Sequence, residues 1–285
     1  MSGVGEDGRP TSRAAGTVLL TGATGLLGTW LRRLAPPEVT LVSVVHHRTP
    51  PGEVVTVDLR DAGATTAALA AVRPHLVIHA AYAREEASIV DATRHVAEAA
   101  RRVGAELLAV SSEAVFSGDG RPRSERSRPD PVWDYGRWKA RAEDLVRDLD
   151  PGAAIVRLPL LVSRQPEDHV CRDIRAGSRS GGPSTWFTDE LRQPAGAGEV
   201  AAALWAIADL PLDQRGGVWH LPGPERLSRF EIAVRTAEDL GLDPASVVGA
   251  PTPADASRPR DLHLTGARAQ ARIGWSPQPV LRRSR

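Results

Sequence analysis

Short apolar runs rich in β-branched residues alternate with helical patterns along the first 160 residues of the chain. Apolar strands that alternate with helices predict a parallel sheet whose two faces are both covered by helices. The chain is therefore expected to form an α/β fold with a doubly wound sheet. The predicted strands are Thr17–Thr21, Val39–Val45, Val54–Asp58, His75–His79, Glu106–Ser111 and Ala154–Leu158. The predicted helices between them are Leu26–Leu34, Ala64–Val72, Glu86–Val103 and Tyr135–Leu149.

The pattern changes after Leu160, where Ser/Gly-rich and proline-rich segments surround two further predicted helices, Ala195–Ala208 and Ser228–Leu240. We expect residues 16–160 to form the sheet domain and residues 161–285 to form a small C-terminal α/β lobe that binds substrate. Residues 1–15 are polar and predict a flexible leader. In doubly wound sheets, ligands bind beyond the carboxyl ends of the strands, and we expect the lobe to lie there.

A glycine-rich turn, TGATGLLG, joins the first predicted strand to the first predicted helix. Glycines at this junction allow a tight turn, and they let a pyrophosphate approach backbone N–H groups at the helix N-terminus. The spacing G-x-x-G-x-x-G in this position favours dinucleotide binding, and hence a Rossmann-type fold, over a chance turn. The predicted cofactor contacts here are Gly22, Thr24, Gly25, Leu26, Leu27 and Gly28.

The ends of the next strands predict the remainder of the cofactor site. An acidic residue after the second strand would bind the ribose 2′-hydroxyl of NAD. The chain instead has His47 and Arg48 there, and a guanidinium suits a 2′-phosphate, which favours NADP(H) over NAD(H). A solvated loop arginine is an equally good interpretation of Arg48. Further predicted cofactor contacts are Asp58 and Leu59 near adenine, and Ala80, Ala81 and Tyr82 after the fourth strand.

A tyrosine and a lysine lie four residues apart on the predicted helix Tyr135–Leu149, which puts Tyr135 and Lys139 on one helix face. A neighbouring ammonium favours the phenolate form of a tyrosine, so that its hydroxyl can exchange a proton with a carbonyl oxygen. Ser112, at the end of the fifth strand, could bind the same oxygen. Y-x-x-x-K is frequent by chance, but its combination with the glycine turn and a strand-end serine favours a catalytic set.

The composition excludes several other classes of protein. With 36 basic and 35 acidic side chains, the net charge of +1 gives no reason to expect a nucleic-acid or membrane partner. No apolar run approaches the length of a membrane span, and we expect a cytoplasmic protein. The single cysteine, Cys171, excludes an internal disulfide. His75 and His79 flank a strand without a third ligand at a plausible spacing, so no metal site is expected.

With these residues identified, the chain resembles the extended short-chain dehydrogenase/reductases, in the branch of the RmlD-type dTDP-4-dehydrorhamnose reductases. The branch also includes the methionine adenosyltransferase regulatory subunits. The resemblance runs from Thr17 to the C-terminus. The segments that carry it are TGATGLLG, VSSEAVFSG, YGRWKARAE, IVRLPLLVS, FTDELRQPAGAGEVAAAL, GVWHLPGPERLSRFEIA and RPRDLHLTGARAQARIGW.

The resemblance implies NADPH-dependent reduction of a 4-keto group on a nucleotide-activated deoxysugar, with Ser112, Tyr135 and Lys139 catalytic. Glu113, Trp186 and Arg192 are weaker substrate candidates. Trp186 could stack on a base or sugar, although packing is the better interpretation, and Arg192 could equally face a diphosphate, since planar donors suit phosphate, or be a surface arginine. Related reductases often form homodimers. Dehydratases of the superfamily usually have Thr-Asp-Glu where this chain has Ser112-Glu113-Ala114, so 4,6-dehydration is not expected. A non-catalytic NADP-binding regulatory subunit, an epimerase and a reductase of a non-sugar ketone remain open.

Overall fold

A computed structural model describes residues 16–47, 49–180 and 184–281 of the chain. The predicted leader and Arg48 therefore lie outside the described residues. The strands are β1 Gly16–Thr21, β2 Val39–Val45, β3 Glu53–Thr56, β4 Leu76–His79, β5 Glu106–Ser112, β6 Ala154–Leu158, β7 Leu161–Val162, β8 Ser184–Phe187, β9 Leu191–Arg192, β10 Ala195–Gly196, β11 Gly217–His220, β12 Leu227–Ser228 and β13 Val247–Ala250. The α-helices are α1 Leu26–Arg33, α2 Ala62–Val72, α3 Ala92–Val103, α4 Asp134–Leu149, α5 His169–Ser180, α6 Ala197–Ala208, α7 Leu212–Arg215, α8 Arg229–Asp239 and α9 Ala267–Ile273.

A seven-stranded sheet in the order β11-β6-β5-β4-β1-β2-β3 is the largest element of the fold. β1 pairs in parallel with β2 and β4, β2 with β3, and β4 with β5. Parallel neighbours need crossover connections. α1 connects β1 to β2 and α3 connects β4 to β5, whereas no helix is described between β2 and β3. The expected doubly wound α/β fold is confirmed.

Side chains from neighbouring strands form continuous buried rows on both faces of this sheet. Leu19, Val77 and Leu107 are aligned by the strand register and share a buried cluster with residues of α2, α3 and α4. Successive residues of a strand point to opposite faces. The next residue of the middle strand, Ile78, is also fully buried, so the other face is covered as well. This two-sided burial explains why the strands read as continuous apolar runs.

All six predicted helices begin or end at least one residue away from the predicted bounds, and three of the differences are described by local structure. The predicted helix Glu86–Val103 is a π-helix over Ala87–Asp91 followed by α3. The first two residues of the predicted helix Ala195–Ala208 form β10 instead, paired with β7. α8 begins one residue later than predicted because Ser228 is its N-cap, in a reciprocal capping box with Glu231.

The chain divides into two compact units, which alternate along the sequence. The first comprises Met1–Val110, of which residues 16–47 and 49–110 are described, together with Arg141–Val156 and Ala201–Val218. The second comprises Ser111–Ala140, Arg157–Val200 and Trp219–Arg285, within the described residues. The expected single boundary at residue 160 differs from this division, in which the chain passes from one unit to the other five times, within β5, α4, β6, α6 and β11. No helix in the described ranges is both long and apolar enough to span a membrane.

The second unit has its own buried cores. The larger one gathers apolar side chains of α5, α8, β8 and β13, and includes Ile174, Trp186, Ile232 and Val247. A smaller cluster joins Val115 and Phe116 to Leu262 and Leu264. Because each unit buries a core of its own, we describe the functional residues of each unit separately.

The helix packing of the first unit makes a direct prediction for stability. Leu69 of α2 is fully buried in the cluster beneath the sheet, whereas Leu212 of α7 is 63% exposed in the same unit. Leu69→Ala is expected to lower the free energy of unfolding by about 2–5 kcal/mol, because it removes buried methyl groups and leaves a cavity. The matched variant Leu212→Ala should change it by less than about 0.5 kcal/mol. Urea denaturation of both variants measures the difference, and equal losses would contradict the packing described here.

Candidate active site

The glycine turn after β1 brings backbone segments closer together than any side chain would allow. Gly22 has φ +71°, and a β-carbon there would lie 2.6 Å from the carbonyl oxygen of Ala80. A β-carbon on Gly28 would lie 2.1 Å from the carbonyl oxygen of Gly22. Both positions therefore require glycine. The predicted contacts after β1 and after β4 are thus neighbours within the first unit.

The N-terminus of α1 is suited to a pyrophosphate. Gly25 precedes the helix and offers no side-chain cap, so the first-turn N–H groups have no side-chain acceptor from the N-cap. The N–H of Gly25 donates to the carbonyl oxygen of Gly22 at 3.0 Å and closes the turn. Thr24 and Gly25 are exposed, whereas the side chain of Leu27 is buried. A narrow, uncapped glycine cradle at a helix N-terminus fits the phosphates of a dinucleotide.

The predicted adenosine side of the cofactor site contains histidines and a tightly bound carboxylate. The rings of His46 and His47 lie 3.6 Å apart, and Nε2 of His46 is 3.8 Å from Oδ2 of Asp58. Asp58 also accepts hydrogen bonds from the backbone N–H and the guanidinium of Arg60, which hold the pKa of its carboxyl well below the usual range. Arg60 in turn donates to Glu85. Sequence reasoning missed Arg60, although it follows the predicted Asp58-Leu59 pair directly.

The remaining predicted cofactor contacts of the first unit have different environments. Leu59 packs against the core beneath the sheet, and its carbonyl oxygen lies 3.0 Å from Nδ1 of His95. The backbone N–H groups of Ala80 and Ala81 both donate to Oγ1 of Thr21 at 3.1 Å. Tyr82 is 58% exposed, so its ring is accessible from solvent.

In the second unit, the segments of the predicted catalytic serine and tyrosine both contact the backbone of one residue, Ala114. The hydroxyl oxygen of Ser112 accepts a hydrogen bond from the N–H of Ala114 at 3.2 Å. A β-carbon on Gly136, next to Tyr135, would lie 2.1 Å from the carbonyl oxygen of Ala114, so only glycine lets α4 begin here. Trp133 donates its indole N–H to that same oxygen at 3.4 Å and packs edge-on against the Tyr135 ring, with centroids 5.4 Å apart.

Lys139 lies one helical turn after Tyr135 on α4 and is buried, whereas Tyr135 is half-buried. Residues four apart on a helix occupy the same face, so the ammonium is on the side of the helix that carries the phenol. An ammonium in a buried position interacts more strongly with a neighbouring phenol oxygen than it would in water. An ammonium on the side of the helix that carries the phenol would favour its phenolate form, which is the arrangement that the sequence predicts.

Arg192 has protein partners for its guanidinium, which argues against the expected diphosphate contact. Its two terminal nitrogens donate to the carbonyl oxygens of Leu191, Pro259 and Arg260 and to the Glu190 carboxylate. Its Nε is 3.7 Å from Oε1 of Glu113. Because the side chain is buried and its donors point at protein acceptors, Arg192 holds β9 to the 259–260 segment.

Trp186 likewise has an internal role in the second unit. It is 8% exposed, packs in the larger apolar core, and donates its indole N–H to Ser184 at 3.0 Å. The guanidinium of Arg229 lies over its ring, 5.3 Å from the centroid. The structure therefore gives Trp186 packing contacts and no sign of the weaker substrate role.

Glu113 is a buried carboxyl directly after Ser112. Its Oε2 has no hydrogen-bond partner, and burial raises its pKa to about 7 against the opposing attraction of Arg192 and Arg229. The nearby Glu190 is fully buried and pairs with both Arg192 and Arg258. The Arg258 guanidinium also lies 5.4 Å from the centre of the Trp133 ring. Glu113 is thus connected through Arg192, Glu190 and Arg258 to Trp133, the residue that packs against Tyr135. Sequence reasoning missed both Glu190 and Arg258.

No group of three or more His, Cys, Asp or Glu side chains among residues 16–47, 49–180 and 184–281 is arranged to hold a metal ion. His79 is hydrogen-bonded to two threonines within the first unit. Cys171 is buried, and burial raises the pKa of its thiol, so the thiolate needed for nucleophilic chemistry is disfavoured.

The raised pKa of Glu113 predicts a pH-dependent stability. The folded protein binds the Glu113 proton more tightly than the unfolded chain does, whose carboxyl has the ordinary pKa of 4.5. The resulting stabilisation is fully present below about pH 4.5 and is lost as the pH rises towards 7. Glu113→Gln keeps a neutral side chain at every pH. The free energy of unfolding of the variant minus that of the wild type should therefore rise by roughly 3 kcal/mol between pH 4.5 and pH 8.

Denaturant unfolding at several pH values measures this difference, with the wild type as reference at each pH. A difference between variant and wild type that stays constant from pH 4.5 to pH 8 would show that the Glu113 carboxyl does not change its charge in this interval.

Comparisons with known proteins show the family of the chain. The family model of the RmlD substrate binding domain matches residues 16–282. A dTDP-4-dehydrorhamnose reductase from Streptomyces griseus is 30% identical over 251 residues, covering 80% of this chain and 78% of that protein. The bovine methionine adenosyltransferase 2 subunit beta is 29% identical over 290 residues, covering 90% and 85%.

The fold is also found among solved structures. A dTDP-4-dehydrorhamnose reductase from Bacillus anthracis, in complex with NADP, superposes with a TM-score of 0.75 at 23% identity, covering 88% of this chain and 91% of that one. The chain belongs to the RmlD substrate binding domain family, within the extended short-chain dehydrogenase/reductases, a class of NAD(P)-dependent oxidoreductases.

Proposed function

We propose that the chain catalyses the NADPH-dependent reduction of a 4-keto group on a nucleotide-activated deoxysugar, with a dTDP-linked sugar as the first substrate to test. The observation that carries this proposal is that the Ser112 and Tyr135 segments both contact the backbone of Ala114, with Lys139 one turn further along α4. The family relation to sugar-nucleotide reductases supports the substrate class.

Each residue of the proposed site has a separate role in binding or in proton transfer. The glycine cradle at the N-terminus of α1 binds the pyrophosphate, and Lys139 holds the nicotinamide ribose. Ser112 donates a hydrogen bond to the substrate carbonyl oxygen and orients it. Tyr135 donates its hydroxyl proton to that oxygen, and the Lys139 ammonium stabilises the phenolate that remains. The bound nicotinamide supplies the hydride that the carbonyl carbon receives.

Removing the phenol hydroxyl tests the mechanism most directly. Tyr135→Phe keeps the ring against Trp133 but has no proton to donate, so kcat should fall by at least 100-fold, which is the usual contribution of a general acid. The dissociation constant for NADPH should stay within about threefold, since the first-unit cradle is unchanged. NADPH oxidation with dTDP-4-keto-6-deoxysugars and fluorescence titration of NADPH measure the two quantities. Turnover at the wild-type rate would remove Tyr135 from the mechanism.

The preference for NADP(H) is a separate proposal, supported by the positively charged sequence after β2. His47 is exposed at the end of this strand and Arg48 follows it. Arg48→Asp should raise the NADPH dissociation constant by about tenfold or more and leave that for NADH nearly unchanged, because a bidentate guanidinium–phosphate contact is lost.

Arg101→Asp is the matched control for this charge change. Arg101 is an exposed residue of the last turn of α3 in the same unit, so the variant alters net charge equally without touching the proposed phosphate contact. If the two variants weaken NADPH binding equally, the effect comes from the change in net charge, and the proposed contact between Arg48 and the 2′-phosphate is contradicted.

A second candidate function is a non-catalytic NADP-binding regulatory subunit, which the bovine subunit beta favours by its 29% identity over most of both chains. It predicts NADPH binding without oxidation by any ketone, and co-purification with an enzyme from the source cells. NADPH oxidation across a panel of nucleotide-linked and free ketones separates it from the reductase, and also from an epimerase or a reductase of a non-sugar ketone.

A further inference from the structure

Three buried side chains connect the glycine turn to the start of the third helix through one unbroken path of hydrogen bonds. Thr21 ends β1, His79 ends β4, and Thr93 lies in the first turn of α3. Oγ1 of Thr21 lies 2.8 Å from Nδ1 of His79, and Nε2 of His79 lies 3.1 Å from Oγ1 of Thr93. All three side chains are buried in the first unit.

The partners of Thr21 fix the direction of every bond in this path. The N–H groups of Ala80 and Ala81 both donate to the Thr21 oxygen and occupy its two lone pairs. The Thr21 hydroxyl must then donate to Nδ1 of His79, so the ring proton of His79 is on Nε2. Nε2–H donates to Oγ1 of Thr93, whose own hydroxyl donates to the carbonyl oxygen of Ile89.

This bond order excludes a charged imidazolium in the path. A proton on Nδ1 would make a third donor aimed at the Thr21 oxygen and would leave the Thr21 hydroxyl without its acceptor. A buried polar group without a partner costs about 1–3 kcal/mol. The path therefore needs a neutral ring in the Nε2–H tautomer.

Both ends of the path lie at backbone features that ordinary helices and strands do not have. At one end, the Thr21 oxygen holds the Ala80-Ala81 turn whose carbonyl a β-carbon on Gly22 would meet at 2.6 Å. At the other end, Ile89 belongs to the π-helix over Ala87–Asp91, and π-helical turns occur frequently at functional sites. The path thus joins the glycine cradle to the irregular start of the helix that follows β4.

We propose that His79 is a positioning residue for the dinucleotide, acting through Thr21 to hold the Ala80-Ala81 turn at the distance from Gly22 that the cofactor requires. Thr93 and the carbonyl oxygen of Ile89 anchor the ring from its far side. The proposal rests on the proposed function in that it assumes that the cradle binds NADPH. Loss of the Nδ1 acceptor frees the Thr21 hydroxyl and loosens the turn, whereas loss of the Nε2 donor removes only the anchor.

Two substitutions at His79 separate the loss of the Nδ1 acceptor from the loss of the Nε2 donor. Asparagine places an amide oxygen near the position of Nδ1 and keeps the acceptor for Thr21, while it gives up the bond to Thr93. Glutamine reaches the position of Nε2 and keeps the bond to Thr93, while it gives up the acceptor for Thr21. At the other residue, Thr21→Ser keeps the hydroxyl and Thr21→Val removes it.

The experiment measures the NADPH dissociation constant and the melting temperature of the ligand-free protein for the wild type and all four variants. His79→Gln and Thr21→Val should raise the dissociation constant about tenfold, the effect of losing one buried hydrogen bond. His79→Asn and Thr21→Ser should stay within about twofold of the wild type. The two His79 variants should have similarly lowered melting temperatures, so that a merely structural role cannot produce the difference in binding.

The outcomes distinguish the two proposals. If the wild type binds NADPH and His79→Asn and His79→Gln have equal dissociation constants, the positioning role of His79 is overturned and the proposed function is untouched. If the wild type binds neither NADPH nor NADH, both are overturned. The ring proton is checked without cofactor by nitrogen-15 NMR of histidine-labelled protein, with the signal assigned by its loss in His79→Asn. An Nε2–H tautomer supports the proposal, and an Nδ1–H tautomer or an imidazolium overturns it.

Discussion

Close backbone contact at Gly22 and Gly28 is the constraint on which the rest of the first unit depends. At both positions a β-carbon would collide with a carbonyl oxygen, so the turn after β1, the start of α1 and the turn after β4 come together only because two side chains are missing. This contact leaves the helix N-terminus uncapped and open to an anion. The ends of the parallel strands β1 and β4 lie side by side. The predicted cofactor residues that follow these two strands are therefore also neighbours.

The sequence predicted most of the first unit because its strands and helices follow from local patterns. Val39–Val45 and Ala154–Leu158 were predicted with the bounds that the structure shows, since buried parallel strands are continuous apolar runs between turns. The family assignment and the fold were confirmed. The π-helix over Ala87–Asp91 could not be predicted, because a single π-helical turn at the start of a helix leaves no distinct period in the spacing of apolar residues.

The second unit shows what sequence reasoning could not reach. The partners of Arg192 include carbonyl oxygens almost 70 residues later in the chain, which no local pattern reveals, and its diphosphate contact stays a prediction. Glu190 and Arg258 were missed for the same reason, since buried ion pairs arise from tertiary contacts. The roles of Ser112, Tyr135 and Lys139 stay predictions, although their local geometry agrees with them. The spacing of Tyr135 and Lys139 could be recognised in the sequence because residues four apart lie on the same face of a helix.

The backbone of Ala114 has a consequence for the geometry of the second unit. The Ser112 hydroxyl oxygen accepts from the N–H of Ala114, and the first turn of α4 rests on the carbonyl oxygen of the same residue. These two groups belong to consecutive peptide planes that meet at the Cα of Ala114, so only the φ and ψ angles of this one residue lie between the two contacts. A change in either angle would alter the separation of the Ser112 and Tyr135 segments directly, and Ala114 is buried, which leaves little room for such a change.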